Sequence, residues 1–419
     1  MADTPNRPAD PRLAHALDLV TEAEKLTVPG DAAALGRAAA HADSAIDVLK
    51  AYVAATPTPE TRNLLAGAWM RRAVVHLVLG TEASLPEAVR CFDESIRLRR
   101  ELMGARHAAL VHAQATSLLG RGDALARIGG EPNLRSAVGS YDEGIALLRM
   151  LPVREVPQLM ARLIMAHASR AGVLEALRTP EALVQAVQAH RDIIALIRGT
   201  PAEKHPEFRI HLGAAATNVA NLALVGGTPA FDPEQARVIA AEAVEAVHDL
   251  EREAPVGGEI GIKARRNICR AVAALVEARG PGAAAPREFL NAMTDAADEA
   301  LALARFWENK GVMQFRPFAI ELFGFAANLY LRHQTHFFAE YILDNLDPEQ
   351  SPDAFRECPE MHGLATRLVA DALRHFERDR MITVDTQGVE RQIETMQALR
   401  HAGQRLAALQ PAAATKPSA

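Results

Sequence analysis

Apolar residues in this chain recur at spacings of three and four rather than two. Leu13, Leu17 and Val20 form one such row; Leu64, Ala68, Val75 and Leu79, with Arg71 and Arg72 between them, form another. That spacing gathers apolar side chains on one face of a 3.6-residue turn and predicts helices. Strand-like alternation is confined to Met381-Ile382-Thr383-Val384. Start signals are frequent. Ser84-Leu-Pro-Glu87 offers a capping hydroxyl, a proline in the first turn and a glutamate three residues on. Asp232-Pro-Glu-Gln235 and Asp347-Pro-Glu-Gln350 offer a carboxylate in the same role, and Thr58-Pro-Glu60 and Thr179-Pro-Glu181 place proline where its missing N–H costs nothing. Gly80, Gly129-Gly130, Gly226-Gly227, Gly257-Gly258 and Gly280 read as stops. The pattern predicts a string of helices of about 15 to 25 residues joined by short turns.

The helices repeat. Leu85–Leu98 reads LPEAVRCFDESIRL and Leu134–Leu147 reads LRSAVGSYDEGIAL, with anchor alanines Ala88 and Ala137 spaced by 49 residues. A further 49 residues leads to Ala186, with His190 at the aromatic position. Weaker copies follow at Ala38/Ala42/Ala45, Ala236/Ala240/Ala243 and Met293/Ala297/Ala300. The preceding helix repeats in the same frame, through Arg72-Ala73, Arg121-Gly122 and Arg170-Ala171. The unit is therefore two helices, each with a small residue at a fixed place. One unit cannot bury its apolar face alone; a stack can.

The run Arg72-Ala73…Gly80…Glu87-Ala88-x3-Phe92-x2-Ser95, and its echo Arg121-Gly122…Ala137-x3-Tyr141-x2-Gly144, resembles the tetratricopeptide repeat. The likeness spans residues 10 to 305 and is clearest in 60 to 200; the period of about 49 is longer than the 34 of that family. It implies an all-α, right-handed α-solenoid of antiparallel helix pairs, TPR-like, that binds protein or peptide segments in a concave groove. The expected organisation is a disordered N-terminus (1–10), a repeat solenoid (11–305), an aromatic-rich helical C-terminal cap (306–409) and a disordered tail (410–419). The cap rests on composition: 12 of the 19 aromatic residues follow residue 300. Helices are expected there near 314–333, 335–346, 359–379 and 387–409, the last with a stripe of Val389, Ile393, Met396, Leu399 and Leu406. This quarter either closes the stack or forms an interface.

Charge and chemistry narrow the function. Forty-six Lys and Arg against 52 Asp and Glu give a net charge of -6, which disfavours nucleic acid, including an RNA-binding helical repeat. Three dispersed cysteines make no disulfide framework. The opening MADTPNRPADP lacks an apolar signal core, and no stretch approaches the ~18 apolar residues of a membrane span, so a soluble cytoplasmic protein is expected. Gly257-GEIGIK lacks the spacing and hydroxyl of a phosphate loop, and no GxSxG or HExxH occurs. His333, His336, Cys358 and His362 have the residue types of a zinc site, but nothing in the sequence joins the two pairs. No metal or cofactor is expected. Cys91 and Cys269 read as small buried hydrophobes.

The remaining candidates are Arg72, Arg121 and Arg170, a ladder up the first helices, flanked by Met70, Asp123 and Asn218. The ladder either packs its stems between layers and pairs with neighbouring carboxylates, or grips an acidic segment. The expected function is a non-catalytic scaffold or adaptor binding a protein or peptide. The alternatives are a ligand- or peptide-sensing regulator and, further off, a metal-dependent enzyme. The sequence does not fix the oligomeric state.

Overall fold

A computed structural model describes residues 10–102, 107–280, 286–318, 322, 356, 359–378 and 386–409. Among these residues the regular structure is helical. Two compact units divide the chain, residues 1–231 and 232–419.

The first unit holds α1 (Pro11–Lys25), α2 (Ala32–Ala55), α3 (Pro59–Leu79), α4 (Ser84–Arg100), α5 (Ala108–Ile128), α6 (Glu131–Leu148), α7 (Pro157–Leu177), α8 (Pro180–Ile197) and α9 (Pro206–Leu222). Each helix packs on the next, so the unit is a stack of antiparallel pairs. The repeat is visible in the starts: α3, α5, α7 and α9 begin at Pro59, Ala108, Pro157 and Pro206, steps of 49. The anchors Ala88, Ala137 and Ala186 are each 0 % exposed. They are small because neighbouring helices touch there. Glycine takes this further. A β-carbon on Gly122 would lie 2.9 Å from the Tyr141 ring, and one on Gly120 would overlap Phe92. The two rings, buried to 2 % and 1 % exposure, fill the gaps between layers. Burial of each contributes about 1.5–3 kcal/mol.

Thr58 and Thr179 cap as expected, accepting from Thr61 N and Ala182 N. Gly80 ends α3 with φ 62, a conformation that favours glycine. Ser84 is a correction. It is the first residue of α4, and the hydroxyl that accepts its N–H belongs to Thr81, while the Ser84 hydroxyl accepts Thr81 N in return.

The second unit holds α10 (Pro233–Val247), α11 (Pro255–Glu277), α12 (Arg287–Asn309), α13 (Pro359–Arg378) and α14 (Thr386–Ala408). Asp232 caps α10 through Gln235 N at 3.0 Å. Gly257 and Gly258, expected as a stop, lie instead in the first turn of α11. They are there because a β-carbon on Gly257 would come within 2.5 Å of Leu250 O, and one on Gly258 would overlap Trp307. The core joins Ile262, Trp307, Phe315, Leu368, Leu399 and Leu406, with the Trp307 and Phe315 rings stacked at 5.9 Å. The expected helices at 359–379 and 387–409 correspond to α13 and α14. Those near 314–333 and 335–346 fall mostly outside the described residues, as do Asp347–Gln350, the run 381–384 and the tail after Leu409.

Candidate functional site

In the first unit the odd-numbered helices touch one another across layers, α1 with α3, α3 with α5, α5 with α7 and α7 with α9; the even-numbered helices meet each other less. The odd helices thus line the more closely packed side of this unit, its inner face.

The predicted ladder lies between layers. Arg72, Arg121 and Arg170 stand on α3, α5 and α7, and Nε of each meets an aspartate of the preceding even helix. The partners are Asp43 at 2.5 Å, Asp93 at 2.7 Å and Asp142 at 2.6 Å. On its other side each reaches the next even helix: Cys91 Sγ at 3.4 Å, Ser140 Oγ at 2.7 Å and Gln185 Oε1 at 3.4 Å. Each guanidinium thus ties two even helices together. Met70 is half-buried on α3, and Asn218 is exposed on α9.

Asp123 lines an open recess of about 530 Å³ with Leu77, Leu134, Tyr141, Ser169 and Val173, drawn from α3, α5, α6 and α7. The Tyr141 hydroxyl donates to Asp123 Oδ1 at 2.6 Å. Burial raises the Asp123 carboxyl above the usual carboxylate range, against the Tyr141 hydrogen bond and the Arg127 charge. Burial, then the Asp123 charge, pushes the Tyr141 phenol up.

A different arginine is more deeply placed. Arg99 starts on α4 and threads between α3 and α5, and it is 3 % exposed. Its Nη1 donates to Ser95 Oγ at 2.8 Å, Ser117 Oγ at 2.7 Å and Ala113 O at 3.3 Å, and approaches Met70 Sδ at 3.8 Å. Its Nε donates to Asn63 Oδ1 at 3.3 Å. Among the described residues no carboxylate pairs with it, and its Nη2 makes no hydrogen bond there. Burial alone pulls its pKa down to about 10. One turn of α5 also carries a second cation. Arg162 of α7 donates from Nη1 to Thr116 Oγ1 at 2.6 Å, its only polar partner among the described residues. Burial, then the Arg162 charge, lowers the pKa of His112, one turn before Thr116.

Sequence reading passed over Arg99, yet a signal existed. In the 49-residue frame its counterparts are Leu148 and Ile197, each 0 % exposed. Ser117 likewise stands where the frame has Ala68 and Ala166, and Ser95 where it has Gly144 and Ile193. An arginine in an aliphatic position, joined by two hydroxyls in apolar positions, is a coordinated exception.

The zinc-type residues do not assemble within the described part. His362 hydrogen-bonds Leu406 O at 2.7 Å, and Cys358, His333 and His336 lie outside the described residues. Cys91 and Cys269 are buried free thiols, and burial pushes Cys269 up to about 12. Among the described residues no helix is long and apolar enough to cross a membrane.

No protein-family model matches the chain, and no curated protein matches it. Solved structures resemble it distantly. A circular tandem repeat protein is 14% identical, with 94% of this chain and 98% of that one covered and a TM-score of 0.33. A STAND-type signal-transduction ATPase with a tetratricopeptide repeat sensor, from Pyrococcus horikoshii, is 12% identical over 95% of this chain and 52% of its own, with a TM-score of 0.42. Yeast Tom70 is 13% identical over 95% of this chain and 81% of its own, with a TM-score of 0.24.

Proposed function

We propose that the chain is a non-catalytic interaction scaffold that holds a protein or peptide segment along the inner face of its first unit. The observation that carries this reading is the open recess of about 530 Å³ that four helices leave around Asp123. Its walls are mostly apolar, with Asp123, Arg127, Tyr141 and Ser169 as the polar lining, a composition that suits a side chain of a bound segment. Met70 and Asn218 extend the surface along α3 and α9. An acidic segment lying on Arg72, Arg121 and Arg170 would compete with Asp43, Asp93 and Asp142 for the same guanidinium edges. The same recess would serve the alternative of a ligand-sensing regulator. A cytoplasmic setting fits the buried free thiols.

The test is to select peptides from a random library against the full chain and map them with a photo-crosslinking residue. Placed at Thr116 or Asn218 it should capture the selected peptides; placed at Arg135, on the exposed side of α6, it should not. Capture only from Arg135 would remove the inner face as the binding surface.

A further inference from the structure

We propose that the recess around Asp123 binds a free α-amino acid with an apolar side chain, its ammonium group at Asp123 and its carboxylate at Arg127, an inference that rests on that recess being a contact site, as in the reading above. Both residues line the recess of about 530 Å³, a volume in the range of small-molecule pockets. They stand four apart on α5 and so share a helix face. Opposite charges at this spacing can close on each other, but here each turns to another partner. Asp123 Oδ1 accepts the Tyr141 hydroxyl at 2.6 Å, and Arg127 Nη1 donates to Leu77 O at 2.5 Å, near the end of α3. Gly80 gives the guanidinium its passage, since a β-carbon there would overlap Nη2. Among the described residues neither Asp123 nor Arg127 forms an ion pair. The 49-residue frame sets the two apart. They stand where α3 has Val74 and Val78, α7 has Gly172 and Ala176, and α9 has Asn221 and the position of Val225 follows it. In α7, Gly172 and Ala176 also line the recess, and a β-carbon on Gly172 would meet no atom within 4 Å. One layer thus supplies two charges, and the next leaves room in front of them. Leu77, Leu134 and Val173 supply an apolar wall. An α-amino acid carries its ammonium and carboxylate on one carbon, a spacing that an aspartate and an arginine one helical turn apart can bracket with charge-assisted hydrogen bonds. A peptide segment lying across the recess offers neither charge from its backbone.

Ligand-detected NMR titrations of the full chain test this with L-leucine and L-phenylalanine, each beside its amide, which lacks the carboxylate, and its N-acetyl form, which lacks the ammonium. At least one of the two free amino acids should bind roughly tenfold or more tightly than either of its derivatives. Asp123→Asn should erase the advantage over the N-acetyl form without changing the affinity for that form. Arg127→Met should erase the advantage over the amide and leave the amide's affinity unchanged. Gly172→Leu, whose side chain enters open space, should abolish binding, with an unchanged urea transition at Trp69 showing that the unit still folds. Arg135→Met, which removes an exposed charge from α6, should change nothing. Equal affinity for an amino acid and its amide, or an advantage that survives both Asp123→Asn and Arg127→Met, overturns the site. If neither amino acid binds while peptides are still captured at Thr116 or Asn218, the site falls and the scaffold stands. If an amino acid binds as described and no peptide is captured, the site stands and the scaffold falls.

Discussion

Arg99 in the first unit and Arg265 in the second are buried almost equally, at 3 % and 4 % exposure, and are treated in opposite ways. Arg265 donates to both oxygens of buried Glu251 and, at 2.8 Å, to Glu299; Trp307 Nε1 closes the arrangement on Glu251 O at 2.8 Å. Burial acts to lower its pKa, but Glu251 and then Glu299 more than offset that, and the net shift is upward. Arg99 has burial alone, and its shift is downward. The difference shows that burial does not make an arginine structural; the company it keeps does. The second unit closes its charge on itself. The first leaves a buried charge without a carboxylate partner among the described residues.

The two tryptophans allow each unit to be followed separately, Trp69 in the first and Trp307 in the second. The largest expected effect is Arg265→Met, which strands a buried Glu251 carboxylate and should cost about 3–5 kcal/mol in urea unfolding followed at Trp307. A cost under about 1 kcal/mol would show that Glu251 escapes to solvent and would dissolve the contrast.

Acid should weaken the first unit next. His167 is 4 % exposed, and burial, with Arg149 and Arg170 opposing Asp192, lowers its pKa to about 4. The unfolded ring titrates near 6.5, so between those values the unfolded chain binds the extra proton. Stability should fall as pH drops from 6.5 to 4, by up to about 3 kcal/mol, and His167→Gln should flatten that part of the Trp69 profile. A profile unchanged by the substitution would mean that the imidazole stays solvated.

Overpacking comes third. Gly122→Ala forces a β-carbon against the Tyr141 ring and Ala137→Leu adds bulk at a contact with 0 % exposure, and each should cost about 1–3 kcal/mol by thermal melting. An unchanged melting temperature would remove these positions from the interlayer contact. The ladder should matter least. Arg121 is 27% and its Asp93 partner 51% exposed, so Arg121→Ala should cost about 0–1 kcal/mol, which the double substitution with Asp93→Ala would isolate.

Much of this architecture was legible in the chain. Ala88, Ala137 and Ala186 mark the spacing, and the first-helix starts keep it to Pro255 in the second unit. The periodicity is legible because one face of each helix must be apolar and one position small. What periodicity does not show is where a long side chain ends. Arg72, Arg121 and Arg170 share a register, which left two readings open, stems packed between layers beside carboxylates or a stripe gripping an acidic segment; their pairs with Asp43, Asp93 and Asp142 match the first. Arg99 is one of three basic residues ending α4, with Arg97 and Arg100, which pair on the surface with Glu94 and Glu143. Only its place in the frame, opposite Leu148 and Ile197, set it apart. Gly258 misled for the opposite reason: a glycine that makes room for an indole 49 residues away reads locally as a helix stop.

The most direct test of the contrast is urea unfolding of Arg99→Met in the full chain, followed at Trp69 beside Arg265→Met followed at Trp307. If the Arg99 charge is uncompensated in the unliganded protein, methionine should fill the channel while Ser95 keeps its bonds to Ala66 O and Ser117. The Trp69 transition should then stay within about 1 kcal/mol of the parent, or rise above it. A loss at Trp69 as large as the loss that Arg265→Met produces at Trp307 would show that Arg99 is a closed structural joint, and would contradict its contrast with Arg265.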